Sequence, residues 1–240
     1  MSETLRAARV PALEEVPGLV HGFEQRRGPA GWEERDDTRR RVASALARSG
    51  ELLLLKQVHG ARVRRAPWTG LPEADAAVAE APGLLLGIET ADCLPVLVVD
   101  PVRRVVAAAH AGWRGTAAGI ARAAVAALRA GGSRPEDLLA ATGPGIGPCC
   151  YEVGDELRSA FGDAGAEFFR PGPRGRPHLD VRGANERQLR DAGIPEARIH
   201  RVADCTRCRA DLYHSYRRDG KQAGRMINYV GFTAERSRLP

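Results

Sequence analysis

No stretch of this chain is both apolar and long enough to cross a bilayer as a helix, so a membrane partner is not expected. The opening "MSETLRAARVPALEEVPG" lacks the apolar centre of a secretion signal, because acids and prolines interrupt it. The expectation is therefore a cytoplasmic protein. An even, regularly spaced cysteine framework is also missing: the five cysteines are Cys93, Cys149, Cys150, Cys205 and Cys208. An odd number without a signal argues against disulfides and for thiols or metal ligands. Lysine is scarce, so the formal charge of +6 rests on arginine. The arginines come in scattered groups (39–41, 64–65, 103–104, 217–218) interleaved with acids. That distribution makes no basic stripe, and no nucleic-acid partner is expected. Internal repeats and long low-complexity segments are absent too.

What remains is a chain of 240 residues, 43% hydrophobic, able to bury a substantial core without staples. One domain over residues 1–240 is the simpler expectation. Short apolar runs bounded by turn residues predict buried strands at 52–55, 84–88, 94–99 and 105–109. "DPVRR" makes a turn between the last two, so 94–109 reads as a hairpin. Ile120, Ala124 and Leu128 lie four apart and predict a helix over 116–129, ended by Gly131 and Gly132. A second helix is expected from an Asp180 N-cap to "AGIP". Residues 26–37 and 170–178 read as glycine- and proline-broken loops. Hairpins mixed with helices point to a layered α+β fold.

Three segments carry residues suited to chemistry. "KQVHGA" places His59 just past the first predicted strand, and "ETADCLPV" places Cys93 at a break between two others. "AAAHAGWRGT" places His110 at the end of the returning strand. If the hairpin register brings them together, one thiolate and two imidazoles suit zinc or copper and leave a fourth position open. Singly, each is as readily a packed thiol or a hydrogen-bonded histidine. A Cys93 nucleophile with His110 as its base is a rival arrangement.

Arg114, with the amides of Gly115, Thr116 and their successors at a helix start, could hold a phosphate or carboxylate. Equally, Thr116 could cap its helix and Arg114 be solvated. Trp113 could wall a pocket or pack. The adjacent Cys149 and Cys150 are poorly placed to share one tetrahedral ion. Cys205 and Cys208 form a CxxC without a second one, so all four read as packed thiols. Arg217, Arg218 and Arg225 have aromatic neighbours that could wall a pocket.

Taken together, "KQVHG", "TADCLPVLVVD", "AAAHAGWRGTAAGI", "GPGIGPCCYEVG" and "YHSYRRDGKQAGRM" resemble the YfiH family, also called the laccase-domain or purine nucleoside phosphorylase family. The resemblance implies an α/β sandwich with mixed sheets, shared with cytotoxic-necrotizing-factor-type cysteine hydrolases. It implies a metal, usually zinc, on His59, Cys93 and His110. It further implies purine nucleoside phosphorylase and adenosine deaminase activity on adenosine, inosine and methylthioadenosine. The purine nucleoside and phosphate would then be the partners, with Arg114 on phosphate and Asp92 as a candidate for proton transfer or for orienting a histidine. Arg26 is the position matching a family arginine. Other members imply alternatives: a copper polyphenol oxidase, or an amidase that edits peptidoglycan precursors with Cys93 as nucleophile and His110 as base. Near the N-terminus the family's "GFSTRxGG" is replaced by "GFEQRRGP", and the segment after it is shortened to "AGWEERDD". That departure falls on the expected outer wall of the pocket, which bears on substrate choice.

Overall fold

The computed structural model describes residues 5–27, 35–173 and 175–234. Through its first half the chain runs β1 (Ala7–Ala8), α1 (Pro11–Glu14), β2 (Leu19–Glu24), α2 (Arg35–Leu46), β3 (Glu51–Leu53), β4 (Val63–Arg65), β5 (Ala76–Ala79) and β6 (Leu84–Thr90). A hairpin of β7 (Leu94–Asp100) and β8 (Val105–Ala111) leads into α3 (Trp113–Ala117) and α4 (Ile120–Ala130). Then follow β9 (Leu139–Thr142), α5 (Glu156–Phe161), β10 (Phe169–Pro171), β11 (Pro177–Leu179), α6 (Val181–Asp191), β12 (Ile199–Arg201), α7 (Tyr216–Asp219) and β13 (Met226–Phe232).

Two mixed sheets carry the architecture. One has the order β1-β2-β13-β6-β3, the other β12-β9-β7-β8-β5-β4. The β3–β6, β4–β5 and β9–β12 pairs are parallel, while the pairs around β13 and β7–β8 are antiparallel. Side chains alternate across each strand, and the alternation explains the layering. Val96 and Val98 join Ile120, Val125, Leu128 and Leu189 under α4 and α6. Their neighbours Leu97 and Val99 face the other sheet, against Phe23, Ile88 and Val230. The β7–β8 hairpin is thus buried on both faces, which is why it reads as two unbroken apolar runs. Val42 and Leu46 of α2 cover the outer face of the first sheet at Leu85, Ile227 and Tyr229. The result is a helix–sheet–sheet–helix sandwich, the α+β layering expected.

Three expectations need correction. The predicted helix over 116–129 is two helices, because Gly119 adopts φ +83° between α3 and α4. Only glycine takes that left-handed turn without strain. The expected loop at 170–178 contributes both of its ends to the β10–β11 hairpin. Of the loop expected at 26–37, residues 28–34 lie outside the described residues, and α2 already begins at Arg35. The Asp180 cap is as expected: its side chain accepts from the Gly183 amide at 2.9 Å.

Candidate active site

The hairpin register answers whether Cys93 and His110 meet. Leu94 pairs with Ala111 and Pro95 with His110, so Cys93, one residue before β7, lies at the same sheet end as His110. His59 arrives on the loop between β3 and β4, its ring centroid 4.8 Å from that of His110 at an interplanar angle of 77°. One donor atom each from His59, Cys93 and His110 falls within 4.8 Å of the others. His110 is buried, Cys93 half-buried and His59 exposed, so the cluster opens to solvent on the His59 side.

A residue missed in the sequence holds this cluster together. Asp75 is fully buried, and its carboxylate accepts from the amides of Val58 (3.2 Å), His59 (2.8 Å) and Gly60 (2.7 Å). It also meets His110 Nδ1 at 2.9 Å, while its carbonyl accepts from the His110 amide at 2.7 Å. One carboxylate therefore fixes the His59 loop, which includes His59 itself at φ +62°, and turns Nε2 of His110 toward the cluster. Burial would push the Asp75 carboxyl up, but His110 and the loop amides hold it below the usual carboxylate range. The sequence signal was an acid directly ahead of the alanine run of β5, two residues after Glu73.

The electrostatics follow from the packing. Burial alone would raise the Cys93 thiol, yet His110 and His59 beside it bring it down to about 6. Burial alone would lower His110, and the Cys93 and Asp75 charges instead raise it to about 9. The pair favours thiolate and imidazolium over two neutral groups.

Does this cluster fit a metal? The soft thiolate and two imidazoles are zinc or copper donors, and Asp75 supplies the carboxylate that orients a ligating histidine. Gly112 completes the fit: a Cβ there would lie 3.0 Å from His59 Cδ2 and 3.1 Å from Cys93 Sγ. The chain keeps that space clear of side chain.

Above the cluster opens a cavity of about 490 Å³, a size that accommodates a small molecule. Trp113, Arg114, Tyr151, Tyr216 and Arg217 contribute to its wall. Arg114 stacks on Trp113 with its Cζ 4.4 Å from the ring centroid, and Trp113 also packs against the core under α4. Trp113 thus walls the pocket and packs at once. Thr116 accepts from Asn185 Nδ2 at 2.9 Å, while α3 starts at Trp113 with Gly112 as its N-cap; the helix start expected at Gly115–Thr116 is displaced. Being five residues long, α3 offers little as an anion cradle, so anion binding here falls to the arginines. Gln57 and Glu89, also in the wall, exchange side-chain and main-chain hydrogen bonds at 2.8 Å. Glu89 is further held by Arg35 and Arg39.

Asp92 and Arg26 stand differently from their expected places. Asp92, at φ +90°, lines the cavity, but its carboxylate accepts from Thr206 Oγ1 and the Arg217 amide, both at 2.6 Å. The carboxylate that orients a histidine is Asp75. Arg26 donates to the Ala210 carbonyl at 3.1 Å, and its amide to Leu212 at 2.8 Å; it is not part of the cavity wall. The four remaining cysteines also depart from expectation: Cys149, Cys150, Cys205 and Cys208 bring their sulfurs within 4.8 Å of one another. The turn at 148–150 brings two adjacent thiols to one point, Cys208 Sγ, so neighbours in the chain do converge here, contrary to expectation.

Comparison with known proteins gives the chain its family and fold relatives. The family described as multi-copper polyphenol oxidoreductase laccase matches residues 33–233. The chain belongs to this family. Among curated relatives, a purine nucleoside phosphorylase of Deinococcus radiodurans is 41% identical over 197 residues, covering 81% of this chain and 76% of that one. Purine nucleoside phosphorylase YlmD of Geobacillus stearothermophilus is 35% identical, covering 95% and 93%. Adenosine deaminase RL5, from an unknown prokaryote, is 39% identical over 65% of this chain and 61% of its own. Two solved structures share the fold. YlmD from Geobacillus stearothermophilus superposes with a TM-score of 0.82 at 33% identity, covering 91% and 93%. Bacillus licheniformis YfiH gives 0.81 at 29%, covering 92% and 95%. The resemblance to the YfiH family read from the sequence motifs therefore stands. No helix among the described residues is long and apolar enough to cross a membrane.

Proposed function

We propose that this chain is a zinc-dependent purine nucleoside phosphorylase with adenosine deaminase activity. The observation that supports it most is one cavity combining the His59, Cys93 and His110 donors with arginine and aromatic walls. Relatives of this chain are named purine nucleoside phosphorylase, and another is named adenosine deaminase. His59, Cys93 and His110 would hold the zinc, which when bound supplies a Lewis acid beside the substrate.

The chain's own residues supply the rest. Trp113 and Tyr151 offer flat apolar surface for the purine, and Arg114 and Arg217 offer guanidinium donors for phosphate. In phosphorolysis a phosphate oxygen bonds to the anomeric carbon as the glycosidic bond breaks. The bond's electron pair leaves with the base, which takes up a proton. In deamination, water adds at the ring carbon bearing the amino group and ammonia departs. With zinc bound, Asp75 would hold the remaining His110 proton on Nδ1 and leave Nε2 to the metal. With both oxygens accepting hydrogen bonds, Asp92 serves to position Arg217 rather than to carry a proton. The partners on this reading are a purine nucleoside and phosphate, and the compartment is the cytoplasm.

The test is turnover of adenosine by zinc-loaded protein, with and without phosphate, following adenine, inosine and ribose phosphate. Absence of all three products would end this reading.

A second reading has its own observation. Cys93, His110 and Asp75 form a relay in which a carboxylate orients a histidine beside a thiol, an arrangement used for nucleophilic catalysis. An amidase editing peptidoglycan precursors would use Cys93 as nucleophile and His110 as base. Stoichiometric alkylation of Cys93 in protein isolated metal-free would favour it; zinc retained at Cys93 would count against it. A copper oxidase has weaker support, because three donors in one mixed cluster provide poorly for multi-electron oxygen chemistry.

A further inference from the structure

Outside the candidate active site lies a second donor cluster, made of the four cysteines that the proposed reaction does not use. We infer that Cys149, Cys150, Cys205 and Cys208 form a tetrathiolate metal site that takes zinc, distinct from the one at Cys93.

Distances favour a metal over disulfides. Cys208 Sγ lies 3.4 Å from Cys150 Sγ and 3.7 Å from Cys149 Sγ. A bonded S–S pair needs about 2.05 Å. A zinc tetrahedron with bonds of about 2.3 Å has sulfur–sulfur edges of about 3.8 Å. All four sulfurs fall within 4.8 Å of one another, so each can reach a common centre with small adjustments. Two disulfides would require either a bridge between chain neighbours or a pairing of all four across the loops. One ion satisfies the whole set.

The surroundings are suited to stabilising negative sulfur. The Gly147 amide donates to Cys205 Sγ at 3.2 Å, and Arg207 Nη1 lies 3.5 Å from Cys150 Sγ. Four thiolates around a divalent ion carry a net charge of −2, which these donors offset. Gly147 is also where a side chain would intrude: a Cβ there would lie 3.3 Å from both Cys149 Sγ and Cys205 Cβ. The two loops are already in register, with Gly145 bridging Cys205 and the Thr206 amide donating to Gly145 at 3.1 Å.

Position gives the centre a consequence for the active site. Tyr151, which follows Cys150, lines the cavity. Thr206, between Cys205 and Cys208, donates to Asp92, which in turn holds the Arg217 amide. Arg217 then lies over Tyr151, with its Cζ 5.2 Å from the ring centroid. A metal joining the two loops would therefore brace the wall that carries Tyr151 and Arg217. Four donors and no open position make this a structural centre.

The test is zinc content by elemental analysis of reduced, chelator-free protein. Wild type should carry roughly two equivalents, and Cys93→Ala and Cys208→Ser roughly one each. Combining both substitutions should leave none. The Cys208→Ser protein should keep zinc at Cys93 yet show a several-fold higher KM for nucleoside. Because Cys208→Ser could fail to fold, cobalt loading of Cys93→Ala tests the centre with its four cysteines intact. It should show strong sulfur-to-cobalt charge transfer and tetrahedral ligand-field bands. Unchanged zinc in Cys208→Ser, no cobalt–thiolate absorption in Cys93→Ala, or disulfides among these cysteines in reduced native protein would each overturn the inference. These outcomes are separate from turnover, so either reading can fail alone.

Discussion

The molecule brings together two sets of metal-type donors, and they are built in opposite ways. His59, Cys93 and His110 gather at the ends of the two central strands of a buried sheet, two of them fixed by strand register and the third tied in by a buried carboxylate. Cys149, Cys150, Cys205 and Cys208 lie nearer the surface on two loops, braced by an amide and an arginine. The first set is mixed, three-membered and faces a cavity; the second is all sulfur and four-membered. A three-donor set leaves room for a reactant, whereas a four-donor set closes around its ion. A rigid scaffold suits the former, since reacting groups tolerate little misplacement. Loops suffice for the latter, because the ion itself would supply the rigidity.

The comparison breaks most sharply at Cys93. Cys93→Ala should lower phosphorolysis by on the order of a thousandfold or more, while zinc at the four-cysteine cluster remains. Parallel assays of turnover and metal content check both halves. Next in size is Asp75→Asn, which removes the carboxylate from His110 and the loop amides. Zinc affinity at the three-donor site should fall by about 10- to 100-fold, measured by chelator competition, with the cysteine site unaffected.

Acid separates the fold from both clusters. His21, buried in β2, accepts from the Val10 amide at 3.0 Å; burial, then the charge of Arg9, lowers its pKa to about 4. A depressed histidine pKa stabilises the fold above the unfolded value near 6.5, and that contribution is lost as pH falls toward 4. Urea unfolding of metal-loaded protein should show about 2 kcal/mol of this loss by pH 5, less in a His21→Leu variant. The smallest effect belongs to the cavity wall. Arg114→Ala should raise the KM for phosphate about tenfold with zinc content unchanged, as expected when one guanidinium contact is lost. An unchanged KM would move phosphate to Arg217 or its neighbours.

Much of this was legible in sequence where local pattern and burial agree. The β7–β8 hairpin showed itself because both faces are covered, and the Asp180 cap because capping is a local hydrogen bond. His59, Cys93 and His110 were visible as candidates, but only the pairing of Pro95 with His110 shows that the last two meet. Asp75 was not recognised because its partners lie 15 to 35 residues away and nothing local separates it from its neighbour Glu73. The helix break was marked by Gly119, yet the apolar spacing through Leu128 concealed it. Cys150 and Cys208 are 58 residues apart, on loops whose meeting depends on the β9–β12 pairing and the Gly145–Cys205 bridge. CxxC spacing alone carries no such information.

The shared carboxylate of Asp75 has a consequence for the amide protons of the loop it binds. Val58 and His59 are exposed, and an exposed loop ordinarily gives up its amide hydrogens to solvent quickly. Here Val58, His59 and Gly60 donate those hydrogens to a fully buried carboxylate at the start of β5. Their deuterium uptake should follow that of β5 and β8, as though this short surface segment were an extra strand of the interior.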